Sequence, residues 1–271
     1  MEIKFLNVSL KENNKYLIKN LNLQIKSNQI TGIYGDNNQV ISKLLTKDLN
    51  YHGTIKIDSN LFQVYEKNLI SYIDKLNINT FLTKNVRDEF YLVKRKLNNN
   101  EKSYIKKVIA SLNMVGLSES YLEKEIKDLS KSEKRLVQIA LNLITNPDII
   151  IIEEPFLYLS KEAKNNIKKV LLDLKKRYLK TIIIISDDIN ILYELTNYLI
   201  IFKDNKILIS DSTNTVLKDL NLLESNKIEL PDLILFNKIA LNYGKKLTNH
   251  KDIKDLIKEV YRNAQETKKE T

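Results

Sequence analysis

Residues 129–155 read LSKSEKRLVQIALNLITNPDIIIIEEP, and this stretch decides the fold. Residues 130–145 carry the pattern of an amphipathic helix. Asp148 to Ile152, an aspartate leading into four isoleucines, then carry the signature of a strand buried on both faces of a parallel sheet. The run ends on two acids, Glu153 and Glu154. A strand ending in two acids is common; a charged helix, an Asn146-Pro147-Asp148 turn, four isoleucines and two acids in that order are not.

Working outward, residues 1–30 alternate as short antiparallel strands around a polar turn, Lys11 to Lys15. Thr31 to Gly35 is a strand end opening into a loop, Val40 to Leu49 a helix, and Gly53 to Asp58 a strand. Residues 84–127 are charged and helical, with Tyr104, Val108 and Leu112 at helical spacing and Gly116 as a stop. Lys161 to Arg177 is helix, Thr181 to Ile185 a second buried strand, and Ile189 to Thr196 helix. Tyr198–Phe202 and Lys206–Ile209 form a hairpin around Asp204-Asn205. Residues 213–262 are helical segments broken at Pro231. Strands alternating with helices predict an α/β fold around a mostly parallel sheet.

The 129–155 stretch resembles the signature helix and Walker B strand of ABC ATPases. Leu129-Ser130 matches the start of the LSGGQ signature, and Ile149 to Pro155 matches four apolar residues followed by the Walker B acids. In that register Gly32 to Ser42 lies at the phosphate loop, Ile70 to Lys75 at the Q-loop, and Thr181 to Asp188 at the switch-histidine strand. The segment Asn85 to Phe90, and the helices after Leu230-Pro231, are similar to ATPases of energy-coupling-factor (ECF) transporters. The resemblance implies a P-loop NTPase cassette over residues 1–212, with an N-terminal antiparallel β subdomain and a helical signature subdomain at about 84–135. A C-terminal helical extension would follow at 213–262 and a polar tail at 263–271.

Bulk composition sharpens the reading. The 271 residues include no cysteine and two histidines, His52 and His250, so disulfides and a Cys or His metal site are not expected. The N-terminus, MEIKFLNVSL, has no signal-peptide pattern, and no apolar run nears the ~20 residues of a membrane span. The net charge of +10 comes from lysines spread along the chain without interleaved aromatics, so no nucleic-acid partner is expected. Only five glycines and three prolines occur. Phosphate loops need glycine so that backbone N–H groups can approach the ligand.

The resemblance assigns ATP contacts to Gly35, Asp36, Asn37, Asn38, Gln39, Val40, Ile41, Ser42 and Lys43, to Lys75, and to Ser130, Lys131 and Ser132 of the signature. It assigns Mg²⁺ ligation to Ser42 and Glu153, water polarisation to Glu154, and the γ-phosphate contact of the switch histidine to Asp187. Most of these positions depart from the family pattern. Val40 replaces the last loop glycine and Ile41 the lysine that offsets the triphosphate. Lys43, at the position of the family's threonine, lies two residues on, about 200° around a helix, and should point away. Glu153 is one methylene longer than the usual aspartate, and Lys75 stands for a glutamine, where it would repel Mg²⁺ or pair with a phosphate. Asp187 sets an anion against an anion, Glu12 stands near the adenine-stacking aromatic with Tyr16 close by, and Ser160 replaces the D-loop aspartate. Lys131 and Ser132 replace the signature glycines. Ser42, Ser130 and Glu154 remain.

The family works as head-to-tail pairs whose sites combine one subunit's phosphate loop with the other's signature. The resemblance therefore implies an ECF-type importer subunit on the cytoplasmic face of a membrane, itself a degenerate half. Its partners would be a paralogous ABC ATPase, a transmembrane coupling subunit and a substrate-binding membrane subunit, with the coupling contact around Lys75 to Arg87. Two other readings stay open: an active ATPase using unorthodox residues, and a soluble ABC protein outside transport.

Overall fold

The computed structural model describes residues 1–46, 49–62, 69–75, 81–94 and 101–269. Its centre is a sheet of six strands in the order β10-β9-β3-β8-β7-β6. These are β3 (Ile30–Gly35), β6 (Ile70–Ile73), β7 (Ile149–Glu153), β8 (Thr181–Ile185), β9 (Tyr198–Lys203) and β10 (Lys206–Ser212). All neighbours are parallel except the β9–β10 hairpin, which turns at Asp204 and Asn205 with positive φ. Every residue of β7 and β8 is buried. That explains why these strands read as unbroken isoleucine runs: both faces are covered.

The two faces meet different layers. Ile149, Ile151, Ile183 and Ile185 pack toward an antiparallel sheet and α1 (Val40–Thr46). Ile150, Ile152, Ile182 and Ile184 pack toward α3 (Glu101–Val115), α4 (Lys131–Leu143) and α5 (Lys161–Lys176). The period-two alternation of a strand sorts one isoleucine run between two cores, each side chain contributing about 1.5–3 kcal/mol.

The antiparallel sheet has the order β2-β1-β4-β5, with β1 (Ile3–Glu12), β2 (Lys15–Ile25), β4 (Tyr51–Ile57) and β5 (Asn60–Leu61). Asn13 and Asn14, with φ of 50° and 60°, make the β1–β2 turn, as a two-residue hairpin loop requires. On the other flank, α2 (Val86–Lys94) and α3 precede two short 3₁₀ turns, Glu119–Glu123 and Ile126–Asp128, and then α4. Gly116, with φ of 88°, ends α3, and the Leu117 N–H closes back on the Leu112 carbonyl at 2.9 Å.

α6 (Ile189–Leu195) lies between β8 and β9, and the C-terminal region after β10 comprises α7 (Thr213–Val216), α8 (Leu220–Ser225), α9 (Asp232–Asn242) and α10 (Ile253–Lys269). Pro231 stands at the N-cap of α9, so it starts a helix there. The extension is tied to the sheet domain by Tyr193 OH donating to the His250 carbonyl at 2.8 Å and Lys251 Nζ donating to the Thr196 carbonyl at 2.6 Å. α10 carries its helix through most of the stretch expected as a polar tail. α1 is shorter than the expected 40–49 helix, and residues 47–48 lie outside the described residues. So do residues 76–80, inside the expected coupling surface. Among the described residues no helix is long and apolar enough to cross a membrane.

Candidate functional site

The loop between β3 and α1 is anchored where the sequence demands glycine. Gly35 has φ of 100°, and a Cβ there would lie 2.0 Å from the Phe202 carbonyl oxygen. Only glycine fits this close approach of two backbones. The Asp36 N–H then donates to the same carbonyl at 3.1 Å, and the Asn37 side chain reaches Asn205 in the β9–β10 turn. The Val40 N–H donates to the Asn37 carbonyl at 2.9 Å and starts α1. Val40 and Ile41 are 2% and 0% exposed and belong to the core between the two sheets. An apolar side chain at position 41 is thus core material.

Ser42 and Glu153 come together. Ser42 Oγ lies 3.2 Å from Glu153 Oε1 and 2.9 Å from the Gln39 carbonyl. Glu153 is 1% exposed, and a carboxylate so buried must be paired. Gln39 Nε2 donates to its Oε2 at 3.3 Å, and the Tyr72 hydroxyl donates to its Oε1 at 2.6 Å. Burial and the Glu153 carboxylate push the Tyr72 phenol well above its ordinary range, so it remains a donor. Mg²⁺ takes near-octahedral oxygen ligands at about 2.1 Å. Tyr72, Ser42 and Gln39 already occupy about three of the four acceptor sites of the Glu153 carboxylate, so such an ion would compete with these donors and the site as built fits it poorly. Among the described residues, no group of three or more His, Cys, Asp or Glu is placed to hold a metal.

Glu154 sits one residue on, with φ of 44° and its N–H donating to the Ile185 carbonyl at 2.9 Å. Its carboxylate accepts from the Asp187 N–H at 2.6 Å and from Ser186 Oγ at 2.9 Å. Burial raises its pKa above the ordinary carboxylate value, and these hydrogen bonds oppose the rise. The acid at the water-polarising position is thus held by the end of β8.

The positions of unusual charge find one another. Lys75 Nζ lies 3.7 Å from Asp187 Oδ2, while Asn38 Nδ2 donates to Asp187 Oδ1 at 2.8 Å. The loop, the Q-loop position and the switch position are thereby linked through one carboxylate. Lys43 Nζ lies 2.9 Å from Glu12 Oε2, which joins the start of α1 to the residue near the expected adenine position. Tyr16 has Lys11 and Lys19 over its ring, at 4.5 and 5.4 Å from the centroid.

Ser130 caps α4. It accepts from the Glu133 N–H, and the Glu133 carboxylate accepts from the Ser130 N–H at 2.8 Å, a reciprocal capping box. The Tyr121 hydroxyl and the Ser130 N–H hold the Glu133 carboxyl down to about 2. Lys131 Nζ lies 5.4 Å over the Tyr158 ring, and Ser132 is the next residue of the helix's first turn. The signature end of α4 is therefore intact as a helix start, apart from the loop and acids already described. Ser160 caps α5 in the same way, accepting from the Ala163 N–H at 3.3 Å.

Two residues given no role from sequence, Arg135 and Tyr72, join Gln39, which was expected at an ATP contact, in holding the site together. Arg135 is 0% exposed, and its guanidinium donates to the carbonyls of Asp74 at 2.8 Å, Glu153 at 2.5 Å and Glu154 at 3.1 Å, and to Gln138 Oε1 at 2.7 Å. Burial lowers its pKa to about 10, against the pull of Asp74 and Glu153. It clamps the ends of β6 and β7 to α4. An arginine on the buried face of an amphipathic helix was the available signal. Tyr72 gave no such signal, because its target acid lies on another strand, and Gln39, expected at an ATP contact, pairs with that same acid.

A family model described as ABC transporter matches residues 18–157. The chain is 30% identical over 225 residues to "Energy-coupling factor transporter ATP-binding protein EcfA1" of Mesomycoplasma hyopneumoniae strain 7448, covering 79% of this chain and 81% of that one. It is 31% identical over 160 residues to EcfA2 of Mycoplasma mobile, covering 59% of this chain and 51% of that protein. Among solved structures, cbiO1 of Clostridium perfringens, described as part of the ABC transporter complex cbiONQ, superposes with a TM-score of 0.71 at 20% identity over 86% of this chain and 97% of that chain. The last likeness shows the fold; the fold, the ordered motifs and the matched sequence together place this chain in the ABC transporter ATP-binding family, related to the ATP-binding subunits of ECF transporters.

Proposed function

We propose that this chain is the non-hydrolysing ATP-binding-cassette half of an ECF-type importer. It pairs head-to-tail with an ATP-cleaving paralogue at the cytoplasmic face of a membrane. The dimer drives a transmembrane coupling subunit that serves a separate substrate-binding membrane subunit. The observation that carries this reading is the internal pairing of Lys75 with Asp187 and of Lys43 with Glu12. Each pair consists of two residues that depart from the nucleotide-binding pattern, and each answers the other's charge. With Ile41 in the core, no loop lysine at that position offsets a triphosphate. The α4 end, capped by Ser130 and carrying Lys131, is what this chain offers to the partner's loop.

The test is turnover of the co-purified heterodimer. Glu154→Gln in this chain should leave the rate unchanged, and the matching change in the partner should abolish it. A large loss from Glu154→Gln here would instead favour an active ATPase with unorthodox residues. That second reading draws on the retained Glu154, oriented by Ser186 and the Asp187 N–H.

A further inference from the structure

We propose that the Tyr72 hydroxyl takes the place of a divalent cation at Glu153, making this chain's own half-site metal-free. The inference rests on the non-hydrolysing reading above and adds what holds the site together instead.

The geometry follows from strand register. β6 lies beside β7 in parallel, with Tyr72 opposite Ile151. Side chains two residues apart on a strand share a face, so Tyr72 projects on the side from which Glu153 leaves the end of β7. Its hydroxyl reaches Glu153 Oε1 at 2.6 Å, within the range of a charge-assisted O–H···O⁻ bond and roughly twice as strong as a neutral one. Ser42 at 3.2 Å and Gln39 at 3.3 Å complete the set.

All of these partners are neutral donors. The nearest guanidinium, Arg135, is spent on the Glu153 backbone carbonyl rather than on the carboxylate. Neutral donors from three different elements, the loop, α1 and β6, therefore solvate a carboxylate that is 1% exposed. Beyond the end of β6, Lys75 lies 3.7 Å from Asp187, so the neighbouring carboxylate is engaged by a lysine as well. The three donors leave the Glu153 carboxylate about one acceptor site, so Mg²⁺ would have to compete with them for it.

The test uses the purified full chain, with Mn²⁺ as the probe and the free ion read by electron paramagnetic resonance. The melting temperature is measured in parallel with Mg²⁺ and with EDTA. The wild-type chain should retain no Mn²⁺ and melt at the same temperature in both buffers. Tyr72→Phe should melt ~3–6 °C lower and, unlike wild type, regain part of that loss on adding Mg²⁺. Should Tyr72→Phe not fold, Gln39→Leu, which removes the donor to the other oxygen, carries the same comparison. Two results would overturn the proposal. One is Mn²⁺ retained by the wild-type chain and lost in Glu153→Gln; the other is a Tyr72→Phe chain that melts like wild type. Neither touches the subunit role, which the heterodimer turnover reads independently.

Discussion

Lys75 and Asp187, projecting beyond the ends of two different strands, meet with Nζ 3.7 Å from a carboxylate oxygen. In the register that the sequence resemblance implies, the one stands for a glutamine and the other for a histidine, and each neutralises the other. The side chain of Asp187 is 70% exposed, so the pair contributes at most about 1 kcal/mol. A double-mutant cycle with Lys75→Ala and Asp187→Ala should give a coupling energy of that size, shrinking in high salt. A coupling of several kcal/mol would mean that the pair is far better shielded than described.

Restoring the family's lysine should harm this protein. Ile41 is 0% exposed in the core between the sheets. Ile41→Lys therefore places an unpaired ammonium in an apolar environment, at a cost of about 2–4 kcal/mol. Urea denaturation should show the loss directly. The variant should also fail to gain ATP affinity, because Glu153, Lys75 and Asp187 are unchanged.

Arg135 should be among the most sensitive positions in the chain. Its guanidinium holds carbonyls at the ends of two strands and the Gln138 side chain. Arg135→Met leaves those acceptors buried and unpaired, and should cost about 3–5 kcal/mol. Arg135→Lys should recover only part of this, since an ammonium lacks the planar fork. Equal stability for Arg135→Lys and wild type would refute the clamp.

The α4 cap gives a pH signature. The Glu133 carboxyl is lowered from an ordinary 4.5 to about 2 by Tyr121 and the Ser130 N–H. A depressed acid contributes stability above its unfolded pKa and loses it as pH falls toward the folded value. Its side chain is 26% exposed, so the contribution is about 1–2 kcal/mol after screening. Glu133→Gln should be less stable than wild type near neutral pH. The gap should close between pH 4.5 and about 2. A gap that stays constant down to the acid limit would show that the carboxylate's charge plays no part.

The fold was legible because its decisive elements are continuous in sequence. Ile149 to Ile152 reads as a doubly covered strand, and Leu129 to Pro155 as helix, turn and strand in one run. Likewise, Asp204-Asn205 and Pro231 announced a hairpin and a helix boundary from local backbone preference alone. The departures at Ile41, Lys75 and Asp187 were equally visible one at a time. Their pairing was not, because each contact joins elements distant in the chain. Tyr72 meets Glu153 only once β6 is set beside β7 in register. Asn38 meets Asp187 only once the loop is brought to the end of β8. A two-residue rotation around a helix assigned Lys43 an outward direction, but Glu12 as its partner required the β1 strand to be in place. Residues that replace a ligand by bonding to one another leave no local pattern, only the absence of the expected one.

The central claim is that this chain's own phosphate loop has exchanged nucleotide binding for internal pairing. Calorimetric titration of the purified full chain with ATP and Mg²⁺ tests it most directly. The account predicts no saturable heat through the millimolar range and no shift in melting temperature. Saturable binding of one ATP per chain at micromolar affinity, lost on Ser42→Ala, would contradict it.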